Sequence, residues 1–176
     1  MRNMVILSGC SGGGKSTLLT ELERRGHKVV EEPGRRIVAE ERAGDGAALP
    51  WVDLEAFARR AIAMALEDCA AVSGHDGWVF FDRGLIDAIA ALAHATGETV
   101  AVPEALRGRF SPLAFMTPPW PEIHHLDDAR RHGLEDGIAE YQRLMEIYPR
   151  FGFQTVVLPK TGVGQRADFV LATLGA

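Results

Sequence analysis

The stretch MVILSGCSGGGKSTLLTEL, residues 4–22, decides the fold. The apolar run Val5-Ile6-Leu7 meets a glycine-dense loop, a lysine, two hydroxyl residues and a leucine-rich segment. A continuous apolar run suits a strand buried on both faces, since a half-exposed strand would alternate. Residues 16–25 read as a helix with Leu18, Leu19 and Leu22 on one side, and Gly26 stands at the stop position. Between strand and helix, Gly9-Cys10-Ser11-Gly12-Gly13-Gly14-Lys15-Ser16 fits the spacing GxxxxGK[ST].

Each part of that spacing has a physical reason. Glycines let successive backbone N–H groups turn toward one anion with no Cβ in the way. The helix aims its positive end at the same point. Lys15, expected to be solvent-accessible and outside the core, adds a full charge that follows the β- and γ-phosphates, and the Ser16 hydroxyl is placed to ligate Mg2+. Residues 9–17 (Gly9, Cys10, Ser11, Gly12, Gly13, Gly14, Lys15, Ser16 and Thr17) therefore read as a cradle for ATP with Mg2+. The competing reading is a flexible glycine-rich turn. The dinucleotide spacing GxGxxG fails, because Gly12 and Gly14 would need a glycine where Thr17 stands.

Outward from the cradle, short apolar runs alternate with amphipathic segments. Further strands are predicted at 27–30, 78–81, 113–116 and 155–158. Helices are predicted at 53–72, from 85 to about 95, at 135–148 and at 164–174, with shorter ones at 35–42 and 103–109. Glu31-Glu32-Pro33-Gly34 is read as the end of the second strand and Pro149 as the end of the 135–148 helix. This order predicts an α/β fold with a parallel sheet covered on both faces, ligands collecting at the carboxyl ends of its strands.

At 176 residues the chain is expected to be one domain, 1–176, with no repeat or long linker. A net charge of -5 argues against a basic nucleic-acid-binding face. No apolar segment reaches membrane length or the form of a signal peptide. Cys10 and Cys69 lack CxxC spacing and read as free thiols, so a cytoplasmic setting is expected. The sequence carries no signal for an oligomeric state.

Charged residues cluster at the predicted strand ends. Asp82 closes WVFFD, where a carboxylate can hold Mg2+ or activate a nucleophile; the alternative is an N-cap for the helix from Leu85. Arg83 either binds a substrate anion or pairs with a surface carboxylate. Glu32 is placed to accept the proton of a substrate hydroxyl, against a solvated acidic turn; adjacent strand side chains point to opposite faces, so one of Glu31 and Glu32 faces the cleft and the sequence does not say which. Of Arg35 and Arg36, one is expected to reach a substrate. Arg130 and Arg131, in HHLDDARRHG, read either as a mobile segment closing over the transferred group or as a solvated face with i,i+3 pairs. His124, His125 and His132 read as surface histidines, not a metal site.

GCSGGGKST, VVEEPGR, VFFDRGLID and DDARRHG…EDGIAEY together resemble the small P-loop kinases, in particular a compact group of predicted ATPases similar to the nicotinamide riboside kinase domain. The resemblance runs through nearly the whole chain. It implies a three-layer α/β/α fold with a five-stranded parallel sheet in kinase-like strand order, and a lid at about 122–134 with Arg130 and Arg131 in the lid positions. EEPGR is similar to the Glu-Pro of deoxynucleoside kinases, whose Glu acts as base and matches Glu32; Asp82-Arg83 resembles the Asp-Arg pair of thymidylate-kinase-like enzymes. The Glu-Arg-Ser motif of deoxynucleoside kinases is missing.

The expected activity is transfer of the γ-phosphate of ATP·Mg2+ to a small-molecule acceptor such as a nucleoside or nucleotide. The acceptor would be held by Glu32, Arg35 and Arg83, with Lys15, Glu32, Asp82, Arg130 and Arg131 doing the chemistry and Ser16 and Asp82 holding the metal. The rivals are a regulatory ATPase or switch without an acceptor, and a module that binds nucleotide without chemistry. The guanine-reading NKxD is absent.

Overall fold

The computed structural model describes residues 2–123 and 133–175. Five strands form one parallel sheet in the order β2-β3-β1-β4-β5. They are β1 (Met4–Gly9), β2 (Lys28–Val30), β3 (Val79–Asp82), β4 (Phe110–Thr117) and β5 (Gln154–Val157). Between them run α1 (Lys15–Arg24), α2 (Pro33–Ala43), α3 (Leu54–Ala71), α4 (Leu85–Thr96), the one-turn α5 (Glu104–Arg107), α6 (Leu134–Arg150) and α7 (Val163–Leu174).

The central strand explains why its sequence shows no alternation. Met4 and Ile6 enter one apolar layer with Phe81, Ile86, Ile89, Leu144 and Tyr148, on the side of α3, α4 and α6. Val5 and Leu7 enter the opposite layer with Leu18, Leu22, Phe80, Phe115 and Val170, on the side of α1 and α7. All four β1 side chains are fully buried. Burial of each contributes about 1.5–3 kcal/mol, so β1 anchors both layers. This is the predicted α/β/α architecture with five parallel strands.

Three boundaries differ from the sequence reading, each for a local reason. Helix α2 begins at Pro33 directly after Glu32, so Glu31-Glu32-Pro33-Gly34 is no separate turn. Proline's fixed φ is pre-formed for a first helical turn, and its missing N–H costs nothing there. Helix α6 continues through Pro149 to Arg150. A proline in the last turn forfeits little of the hydrogen-bond ladder. Strand β4 starts at Phe110, ahead of Pro112, because an irregularity lets Met4 pair with Phe110 while Ile6 pairs with Ala114. A bulge is where a strand tolerates proline.

Candidate active site

The carboxyl ends of β1 and β3, together with Glu32 just past β2, bring the charged residues to one edge of the sheet. The phosphate loop leaves β1 at Gly9, which has φ +108°; a Cβ there would lie 2.4 Å from the Thr117 carbonyl oxygen. Thr117 holds the loop from β4: its backbone carbonyl accepts from Cys10 N–H at 2.9 Å, and its hydroxyl donates to the Ser8 carbonyl at 3.0 Å. Gly14 is left-handed, with φ +79°, and turns the chain into α1. Gly9 and Gly14 are thus required by close approach and by left-handed backbone.

Lys15 corrects one expectation. The sequence places it in solvent, outside the core, yet it is 7 % exposed. Its Nζ donates to the Cys10 carbonyl at 3.1 Å. Burial lowers its pKa, as does the nearby Arg83 guanidinium, while Asp82, Glu32 and Glu140 pull it back up. The ammonium faces a cluster of acids within a dry loop, so its field is little screened by water.

Asp82 ends β3 and is buried. The N-cap of α4 is Gly84, without a side-chain cap, so Asp82 does not serve as that cap. Its Oδ1 is buried and makes no hydrogen bond among the described residues. Burial, then the Glu32 charge, push its pKa up to about 6. An orphaned buried carboxylate oxygen beside a phosphate cradle fits a Mg2+ shell, with the Ser16 hydroxyl on the first turn of α1 as second protein donor. Among the described residues no group of three or more His, Cys, Asp or Glu side chains is placed to hold a metal by itself.

Arg83 is the hub. It has φ +57°, unusual for a residue other than glycine, and turns the chain sharply after β3. Its Nη1 and Nη2 donate to the two carboxylate oxygens of Glu140 at 3.0 and 2.9 Å. The same group reaches Asp87 at 3.4 Å and Glu32 at 3.5 Å, and donates to the Gly9 carbonyl at 3.1 Å. Glu140, Glu32 and Asp87 outweigh the burial penalty and hold its pKa well above normal. A planar fork satisfied on both edges keeps one orientation. Of the two readings of Arg83, pairing with carboxylates is the one seen, although the carboxylates line a cleft.

Glu32 is half-buried in that cleft while Glu31 is exposed outside it. Arg35 Nε donates to Glu32 at 3.1 Å, and Arg36 instead pairs with Asp68 on α3. Behind Arg83, Asp87 accepts from the Ser8 hydroxyl and, at 2.7 Å, from Tyr148. Burial raises the Asp87 pKa; at Glu140 burial acts the same way, but the Arg83 charge and hydrogen bonds hold its pKa below the usual value. Gly137 of α6 packs on the loop so closely that a Cβ would sit 3.2 Å from Cys10 Sγ.

All of this opens into one cavity of about 420 Å3. Its lining joins the polar side chains of Lys15, Ser16, Glu32 and Asp82 to the apolar ones of Val38, Trp51, Leu54 and Phe57. The cleft thus unites Lys15, Ser16, Glu32, Arg35, Asp82 and Arg83. The proposed lid residues Arg130 and Arg131, with His124, His125 and His132, lie outside the described residues. Sequence reasoning missed Glu140 and Asp87. Asp87 had a local signal, since Arg83 and Asp87 are four apart where a helix begins. Glu140 had none, because its partner is 57 residues away.

A family model described as an AAA domain matches residues 4–166. The chain belongs to that family. It is a P-loop NTPase. Three solved structures show the same fold at low identity. Deoxyadenosine kinase from M. mycoides with bound dATP superposes with a TM-score of 0.64 at 16% identity, covering 98% of this chain and 99% of that one. NadR protein in complex with NR gives 0.73 at 19%, covering 99% of this chain and 52% of that one. Shikimate kinase from Acinetobacter baumannii in complex with shikimate gives 0.57 at 16%, covering 98% and 93%. No curated protein matches the sequence. No helix among the described residues is long and apolar enough to cross a membrane.

Proposed function

We propose that this AAA-domain protein is a small-molecule kinase that transfers the γ-phosphate of ATP to a nucleoside, nucleotide or similar metabolite. One observation carries the reading: a single cavity joins the phosphate loop to Glu32, Asp82 and a separate apolar wall. A hydrolase needs no such wall. The volume is that of a small-molecule site, and Trp51 and Phe57 offer flat apolar surface to a planar ring. Two of the three similar solved structures are kinases, and the three are complexes with dATP, NR and shikimate.

The chemistry follows from the residues. The loop N–H groups and Lys15 bind the ATP phosphates and meet the charge that grows as the γ-group leaves. Mg2+, held by Ser16 and Asp82, supplies further neutralisation of that charge when bound. Glu32 accepts the proton of the acceptor hydroxyl as its oxygen attacks phosphorus. Arg83 and Arg35 hold the Glu32 carboxylate toward the cleft. Arg130 and Arg131, which lie outside the described residues, are assigned to meeting the charge on the transferred group, and 1–176 is kept as one domain. Two buried free thiols, Cys10 and Cys69, suit a cytoplasmic setting.

The test is ATP consumption across a panel of nucleosides, nucleotides and nicotinamide riboside. Strong stimulation by one class is expected. Slow hydrolysis that no acceptor accelerates would instead favour the second reading, a regulatory ATPase, for which the AAA description of the family speaks.

A further inference from the structure

Arg166, on α7, is 5 % exposed, yet among the described residues no carboxylate pairs with it. Arginine is almost never buried without an anion. Its Nη1 donates to the Gly14 carbonyl at 3.2 Å and the Gly13 carbonyl at 3.5 Å. Its Nε is buried and has no partner among the described residues. Its guanidinium carbon stands 5.4 Å from the centre of the Trp120 ring. A Cβ on Gly14 would lie 2.8 Å from Nη1, so only glycine at 14 lets the guanidinium rest on the loop.

Those two carbonyls belong to the peptide units whose N–H groups are on Gly14 and Lys15. A cation on the oxygen side draws electron density through the peptide and makes each N–H a stronger donor. A carboxylate partner would cancel that charge and repel phosphate. The face of Trp120 shelters the cation without adding a formal negative charge. Burial alone lowers the Arg166 pKa, which is the mark of a charge with no anion beside it.

We propose that Arg166 is a positioning residue for the donor nucleotide, a buried charge that the protein leaves without an anion so that the bound phosphates supply it. The inference rests on the reading of residues 9–17 as a nucleotide cradle. It makes apo stability and nucleotide affinity move in opposite directions, because the unpaired charge costs the free protein and serves the complex.

The experiment is thermal melting and calorimetric titration of the whole chain with MgADP, for the wild type, Arg166→Met and Arg166→Lys. Arg166→Met is expected to melt at or above the wild-type temperature without nucleotide and to bind MgADP about tenfold more weakly, a change of about 1.4 kcal/mol. Arg166→Lys, which keeps the charge, is expected to recover most of that affinity. Wild-type affinity in Arg166→Met would overturn the inference. So would an unfolded Arg166→Met, which would make the residue a structural brace, or an Arg166→Lys that binds as weakly as the Met variant. A wild type that binds no MgADP would overturn the cradle reading itself, whatever the variants do.

Discussion

On the proposed reading the cleft has a donor half and an acceptor half, and the two are built in different ways. The donor half is nearly continuous in sequence: residues 9–17 form the loop, braced from afar by single residues, among them Arg83, Thr117, Gly137 and Arg166. The acceptor half is drawn from α2, α3, α4 and α6, and one arginine, Arg83, ties three of its carboxylates to the Gly9 carbonyl. A motif read by its spacing can specify the first half. Only the fold can specify the second.

Breaking the donor half should have the largest effect. Lys15→Met is expected to lower ATP turnover by more than about a thousandfold, since it removes a cation aimed at the charge that develops in transfer. The fold should survive, because the change exchanges a desolvated ammonium for an apolar side chain of similar length. Retained turnover in a steady-state ATP assay would remove Lys15 from the site.

Breaking the acceptor half should separate chemistry from binding. Glu32→Gln is expected to cost roughly a hundredfold in kcat while leaving ATP affinity unchanged. Equal losses in kcat and in affinity measured by titration would make Glu32 a structural residue of the Arg83 network.

Asp82 lies on the seam, and its effect is the smallest in energy. Its pKa is near 3.9 when unfolded and about 6 when folded, so the folded state binds the proton more tightly. The stability this gives is complete below about pH 4 and is lost as the pH rises through 6, leaving a buried carboxylate as a cost above that. Asp82→Asn should therefore stabilise the free protein by on the order of 2 kcal/mol at pH 7.5 and by nothing at pH 4. Denaturant melts at the two pH values read this directly, and equal differences at both would show that Asp82 is not the titrating group.

The same contrast sets how much was legible in advance. The five strands and the two layers could be read because β1 shows an unbroken apolar run, which only a strand buried on both faces tolerates. Asp82 and Glu32 could be placed because strand ends are marked by where the apolar run stops. The burial of Lys15 could not be read, since it depends on acids that arrive from β3, α2 and α6. Glu140 lay on a helix whose apolar face alone was visible, and its meaning comes from a guanidinium 57 residues away. Arg166 looked like any residue of the closing helix until the fold set it on Gly13 and Gly14.

The central claim, that the two halves meet in phosphoryl transfer, is tested most directly by product stoichiometry. The protein would be incubated with Mg2+, ATP and the acceptor that most stimulates turnover, and followed by phosphorus NMR. Transfer requires one phosphorylated acceptor for each ADP formed, with Glu32→Gln forming neither at a comparable rate. Inorganic phosphate appearing one for one with ADP, whatever acceptor is present, would contradict it.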